Sequence, residues 1–314
     1  MVMGASINLT NYVHISTETR TDGCLKVLGY KGIDAAVLKA IVDNKRIETI
    51  QISDFLPDEA YRKIDEILAL RPDITFRLYH FLHYDKIDIS FLLKMSHLTR
   101  LRIDFIDFRN NQQRIDFDVL SGLRLKSFHI DCFDLRDYGF IQSLSVDLEE
   151  LVIMADTLGP GIAFDCSWIL QYKNLNSLWL GKKAKKNLES INKLPKLKSL
   201  TLRGIKIKDF SFLFSMNLER LALLWNSNSD LQALSNLKRL KEIELWHINK
   251  LEEISFLEEL TSLEIIKLQD LKHIVCLPNL RSHMNLKKVF LMNTGIDLES
   301  IPDYLKEKVS NWDD

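Results

Sequence analysis

LKSLTL (residues 197–202), LERLAL (218–223), LKEIEL (240–245), LEIIKL (263–268) and LKKVFL (286–291) are one phrase said five times. Leucine, isoleucine or valine holds the first, fourth and sixth places of each, and the last places fall 21, 22, 23 and 23 residues apart. Side chains alternate across a strand, so Ile243 and Leu245 point to one side while Glu242, Glu244 and Trp246 point to the other. One such strand cannot bury its own apolar edge. Stacked copies pair into a parallel sheet and close a continuous core, so stability becomes a sum of repeat and interface terms. The returns have their own period. Ile248, Leu251, Ile254, Leu257 and Leu260, and then Leu271, Ile274, Leu277 and Leu280, recur about every third residue, which predicts tight 3₁₀ or extended returns rather than α-helices.

A fixed period in the low twenties on an L-x-x-L-x-L signature resembles the short-repeat leucine-rich families, found in leucine-rich phosphatase regulators and bacterial internalins. Three places after the last signature residue those families usually carry Asn; here only Asn226 matches, the equivalents being Ile205, Ile248, Leu271 and Thr294. The resemblance implies an α/β repeat solenoid, a curved leucine-rich repeat horseshoe with a parallel concave sheet and mixed α/3₁₀ returns. It also implies a protein-binding role on the concave face. A phosphatase-regulator-like scaffold and a secreted internalin-like effector or adhesin are alternative expectations from the same resemblance.

Working outward, looser signatures centre on Ile47, Ile50 and Ile52; Phe76 and Leu78; Leu98, Leu101 and Ile103; Leu125, Phe128 and Ile130; Leu148, Leu151 and Ile153; and Leu175, Leu178 and Leu180. With the five phrases they make about eleven turns over residues 46–296. Residues 1–45 do not fit the repeat and are expected to cap the first turn, with a strand over 7–17 and a helix over 32–44 carrying Val37, Leu38, Ile41 and Val42 on its apolar side. Pro57 opens a helical return with Tyr61, Ile64, Ile67 and Leu68 at helical spacing, and Pro72 closes it. Longer helical returns predict stronger bending in the N-terminal half. Residues 297–314 read as a C-terminal cap, with a short helix over 301–309.

The 314 residues carry a net charge of −1 and 46% hydrophobic content. Near-neutrality argues against nucleic acid as the default partner. Cys24, Cys132, Cys166 and Cys276 show no paired spacing, and neither a signal-peptide start nor an apolar run of ~20 residues for a bilayer is visible. A cytoplasmic protein without a membrane partner is the expectation, and in a bacterium a toxin-immunity protein or similar inhibitor.

No P-loop, G-x-S-x-G, H-E-x-x-H or C-x-x-C motif occurs, and no enzyme, cofactor or metal is expected. His80 and His83 with Asp85 have metal-like spacing but lack a third strong ligand. Asp104 and Asp131, with His129, occupy neighbouring strands and are the acid–base candidates; Arg77, Arg100 and Arg102 nearby favour a surface ion-pair network instead. Lys182, Lys183, Lys185 and Lys186 form the basic run and read as a solvated loop.

The outward strand places carry the main functional signal. Tyr79, Met154, Trp179, Leu224, Trp246, Phe290 and Met292 stand where a soluble sheet should read polar, with Trp225 and His247 one place further on. Arg203, Arg220, Glu242, Glu244, Lys267 and Lys288 border them. Aromatic anchors in a charged rim are the composition of a protein-binding hot spot, and stacking across strands to stabilise the sheet is the competing reading.

Overall fold

The computed structural model describes residues 11–22, 25–81, 86–105, 115–132, 135, 137–154 and 163–311. Fifteen of its strands form one open, mostly parallel sheet, and the chain divides into two compact units, residues 1–148 with 154–159 and residues 149–153 with 160–314.

The first unit starts with strands β1 (Tyr12–Ser16), β2 (Arg20–Asp22) and β3 (Leu25–Gly29), then helix α1 (Ala35–Asp43). Four strands follow: β4 (Thr49–Ile52), β5 (Thr75–Tyr79), β6 (Arg100–Phe105) and β7 (Ser127–Cys132). Their order in the sheet is β2-β3-β1-β4-β5-β6-β7. The cap therefore adds three strands to the sheet, only β2 being antiparallel to its neighbour. Asp34 caps α1 by accepting the Val37 amide at 2.8 Å. Between β4 and β5 runs α2 (Asp58–Leu70), with Asp58 and Glu59 in its first turn, where carboxylates meet the positive end of the helix dipole. Tyr61, Ile64, Ile67 and Leu68 are buried, as their spacing predicts. Arg71, 3% exposed at the end of α2, donates to the carbonyls of Val42, Asn44 and Ile47 at 2.9–3.2 Å and pairs with Asp73 at 2.7 Å. This one guanidinium satisfies the chain end of α1 and the lead into β4.

The second unit contains β8 (Glu150–Met154) up to Ile153, then β10 (Ser177–Leu180), β12 (Ser199–Arg203) and β13 (Arg220–Leu224). It continues through β14 (Glu242–Trp246), β15 (Ile265–Gln269) and β16 (Lys288–Met292). A separate two-stranded sheet joins β9 (Phe164–Asp165) to β11 (Ala184–Lys186). The fourth places of the five phrases stand in one register line, Leu200, Leu221, Ile243, Ile266 and Val289; the sixth places form the next, Leu202, Leu223, Leu245, Leu268 and Leu291. All ten are at most 3% exposed. The returns are short 3₁₀ turns such as Leu188–Lys193, Gln232–Asn236 and Ser255–Glu259, or extended as in 271–280. Eleven strands that carry a signature stand among the described residues.

The C-terminal end differs from expectation. The helix α3 is only Asp303–Lys306, and Val309–Asn311 becomes β17, pairing parallel with β16. No leucine phrase announces that strand. The end of the segment read as a C-terminal cap, residues 312–314, lies outside the described residues, as does the start of the strand expected over 7–17. No helix among the described residues is long and apolar enough to cross a membrane.

Candidate partner-binding surface

The face of the sheet opposite the core carries different chemistry in each unit. In the first, Gln51, Arg77, Arg102 and His129 form one register line, and Tyr79, Asp104 and Asp131 the next. Asp104 is fully buried although it points away from the core. Arg77 donates to it and Arg102 does so at 2.8 Å, while Arg77 also reaches Gln51 at 3.1 Å and lies over the Tyr79 ring, 4.3 Å from its centroid. The ion-pair reading of these residues is the observed one, but its centre is buried rather than superficial. Both guanidiniums are spent on this one carboxylate, so it serves as the centre of an ion-pair cluster. Burial, reinforced by Arg102, pushes His129 down to about 3, so its ring is neutral at pH 7. Its Nε2 is closed off without a hydrogen-bond partner among the described residues. Tyr79 is half-buried in contact with His80; His83 and Asp85 lie outside the described residues.

In the second unit the register separates the outward residues into rows. Trp179, Thr201, Ala222, Glu244, Lys267 and Phe290 make one, and Arg203, Leu224, Trp246, Gln269 and Met292 the next. The large side chains named from sequence thus do not form a continuous stripe. Ala222 and Thr201 interrupt the first row and are 0% and 4% exposed; Leu224 is 7% exposed and offers a partner little surface. Trp179, Phe290, Met292 and Met154 are half-buried and Lys288 is exposed. Between the rows' aromatic ends, Arg220 meets Glu242 at 3.2 Å and Glu244 at 3.0 Å, and Lys267 meets Glu242 at 2.6 Å. Burial works against the Glu242 charge, but the Lys267 hydrogen bond and charge, with those of Arg220, hold its carboxyl below the ordinary range. Those four charges lie inside the face and neutralise one another.

The residue two places after the last signature position turns the chain out of each strand. His80, Gly204, Trp225, His247, Asp270 and Asn293 all take φ between 49° and 67° there. Gly, Asn, Asp and His tolerate this left-handed region, whereas a bulky Trp is strained in it by about 1 kcal/mol or more. The ladder continues through these corners: the amides of Gly204, Trp225, His247 and Asp270 donate to Leu224, Trp246, Gln269 and Met292 at 2.7–2.9 Å. Trp225 is nevertheless 45% exposed. It stacks on His247 at 4.2 Å, meets Trp246 edge-on at 5.9 Å and has the Arg203 guanidinium 5.7 Å above its ring. Trp246 donates from Nε1 to Asp270 at 2.7 Å, and Asn293 donates to the other Asp270 oxygen at 2.6 Å. These two hydrogen bonds, Asn293's foremost, lower the Asp270 pKa. Arg203, Trp225, Trp246 and His247 are therefore brought together, and Asp270 and Asn293, not singled out from sequence, lock them. The recurrence of αL-tolerant residues at this place was the available signal.

No protein-family model matches the sequence, and no curated protein matches it. Among solved structures the chain is similar to an internalin, InlF, from Listeria monocytogenes, at 18% identity over 83% of this chain and 77% of that one, with a TM-score of 0.47. A second internalin of that organism, InlC2, gives 15% identity over 83% and 91%, with a TM-score of 0.37. TLR13, solved in complex with ssRNA13, gives 18% identity over 91% of this chain but 42% of its own, with a TM-score of 0.45. The repeat period, the in-register parallel strands and the buried signature places make this chain a leucine-rich repeat solenoid.

Proposed function

We propose that this chain is a non-catalytic module that binds a folded protein through the strand-end corner and adjoining sheet face of its second unit. The observation that carries the reading is Trp225: a large aromatic held at φ +54°, 45% exposed, and braced by His247, Trp246 and Arg203. Strain of this kind persists where the surroundings over-determine it, and exposed, pre-ordered aromatics are the anchors of protein interfaces. Around it, Arg220, Glu242, Glu244 and Lys267 are already paired with one another, so they form a polar surround without uncompensated charge.

The competing role, a stack that only stabilises the sheet, makes the opposite forecast for one substitution. Asn is at home in the left-handed region, as Asn293 shows at the equivalent corner. In Trp225→Asn the relieved strain offsets the lost stacking, each on the order of 1 kcal/mol. The expected result is a Tm within about 2 °C of wild type, with capture of the partner from source lysate abolished. A Tm lowered by several degrees with capture intact overturns the proposal.

A further inference from the structure

The repeats of the second unit are not stitched together evenly. The returns after β12 and β13 are sewn by two asparagines: Asn226 donates to the Ile205 carbonyl at 2.8 Å, and Asn228 donates to the Ile207 carbonyl at 2.6 Å while accepting the Ile207 amide at 3.3 Å. Among the described residues, no asparagine makes such a stitch between the returns after β10 and β12. Between those two returns lies an open groove of about 670 Å³, within the size range of small-molecule sites. Gly204 lies at its edge, at the one corner in this unit's ladder from β12 onward that lacks a side chain; a Cβ there would meet that of Lys182 at 3.1 Å. Trp225, His247, Asp270 and Asn293 fill the equivalent place in the turns that follow.

The groove's lining has two characters. Phe212, half-buried, is the apolar side chain among these that presents a surface, backed by Ile205, Ile207 and Ala184, which are 4%, 3% and 2% exposed. Lys182, Lys185, Lys206 and Lys208 also line it, and among the described residues none of the four ammonium groups has an ion-pair partner. This contrasts with the strand starts of the same unit, where Lys198 and Lys241 both reach Glu219 at 2.8 Å and Lys287 reaches Glu264 at 2.5 Å. Of the two carboxylates in the lining, Asp209 is engaged by the Ser211 amide and hydroxyl at 2.8 and 2.6 Å, leaving Glu189 as the only other negative group. Four unpaired ammonium groups, acting as point charges around an apolar side chain, suit a ligand with phosphates at one end and a flat apolar ring at the other.

We infer that this groove binds a nucleotide, its phosphates among Lys182, Lys185, Lys206 and Lys208 and its base against Phe212. The nucleotide comes either free or as part of a single strand, and the two sources share this chemistry. The site is separate from the Trp225 corner and does not depend on the protein-binding reading.

Isothermal titration of the full chain with ATP, adenosine, pyrophosphate and a hexauridine RNA tests it. ATP is expected to saturate with a Kd on the order of 1 mM or below, at least about tenfold tighter than adenosine or pyrophosphate. Lys206→Glu/Lys208→Glu, which alters two exposed residues, is expected to weaken ATP about tenfold with an unchanged Tm, while Trp225→Asn leaves ATP binding intact. Hexauridine that binds tighter than ATP and is displaced by it assigns the strand as the source; hexauridine weaker than ATP assigns the free nucleotide. No saturation by either nucleotide form, pyrophosphate as tight as ATP, or ATP binding indifferent to the double lysine reversal overturns the inference.

Discussion

At the scale of single residues, the outer sheet face shows how far a position's environment departs from its place in a repeat. Asp104 occupies an outward place yet is fully buried between Arg77 and Arg102. Asp104→Ala leaves two part-exposed guanidiniums without their shared acceptor, so it is expected to cost about 1–3 kcal/mol in urea unfolding. His129 has the opposite problem, for it is held neutral. Its folded pKa, about 3, lies below the ordinary 6.5, so the unfolded state binds the proton first. The stability tied to its neutrality is whole above pH 6.5 and declines as pH falls from 6.5 toward 3. An NMR titration is expected to show the His129 ring uncharged at pH 5, and His129→Gln is expected to flatten the Tm profile between pH 6.5 and 4. Asn226 is the one family-type asparagine, and it is 3% exposed with its amide on the Ile205 carbonyl. Asn226→Ala leaves that carbonyl bare and is expected to cost about 1–3 kcal/mol.

At the scale of elements, register is set twice. The apolar lines Leu200 to Val289 and Leu202 to Leu291 fix which side faces the core. At the strand starts, Lys198, Glu219, Lys241, Glu264 and Lys287 alternate in sign from turn to turn, with Lys198–Glu219, Glu219–Lys241 and Glu264–Lys287 in contact. Exposed pairs of this kind are screened by solvent and add little to stability, so they disfavour slipped pairings more than they hold the sheet. Glu219 is nonetheless pulled down to about 2 by Lys198 and Lys241. Glu242 is likewise lowered, against its burial, by Lys267 and Arg220. Both lowered carboxyls add stability that is present above the ordinary carboxylate range and lost as pH falls through their folded values. Arg71 ties one element to the next by itself. With three carbonyls dependent on its guanidinium, Arg71→Leu is expected to destabilise the first unit by on the order of 3 kcal/mol, visible as faster amide exchange at the end of α1 and the start of β4.

At the scale of the molecule, a solenoid has neighbours only on either side. Leu221→Ala and Val289→Ala, three strands and roughly 14 Å apart, are expected to add in unfolding free energy within about 0.5 kcal/mol. Ile243→Ala with Ile266→Ala, directly paired across β14 and β15, is expected to deviate from additivity, because both empty the same stretch of core. Period and alternation alone determined the repeat, the parallel strands and the helix α2, since each depends on side chains within one turn and its copy in the next. That Arg203, Trp225, Trp246 and His247 have outward or corner places was legible for the same reason. Only the tertiary structure decided that Ala222 and Thr201 break the outward row, that Leu224 is covered, and that Asp104 is buried. It alone placed Asp270 and Asn293 against Trp246, set Trp225 in the left-handed region and opened the lysine-lined groove beside Gly204. Those features arise from which side chains meet across strands and corners some 22 residues apart, and from backbone angles that a Leu pattern leaves free.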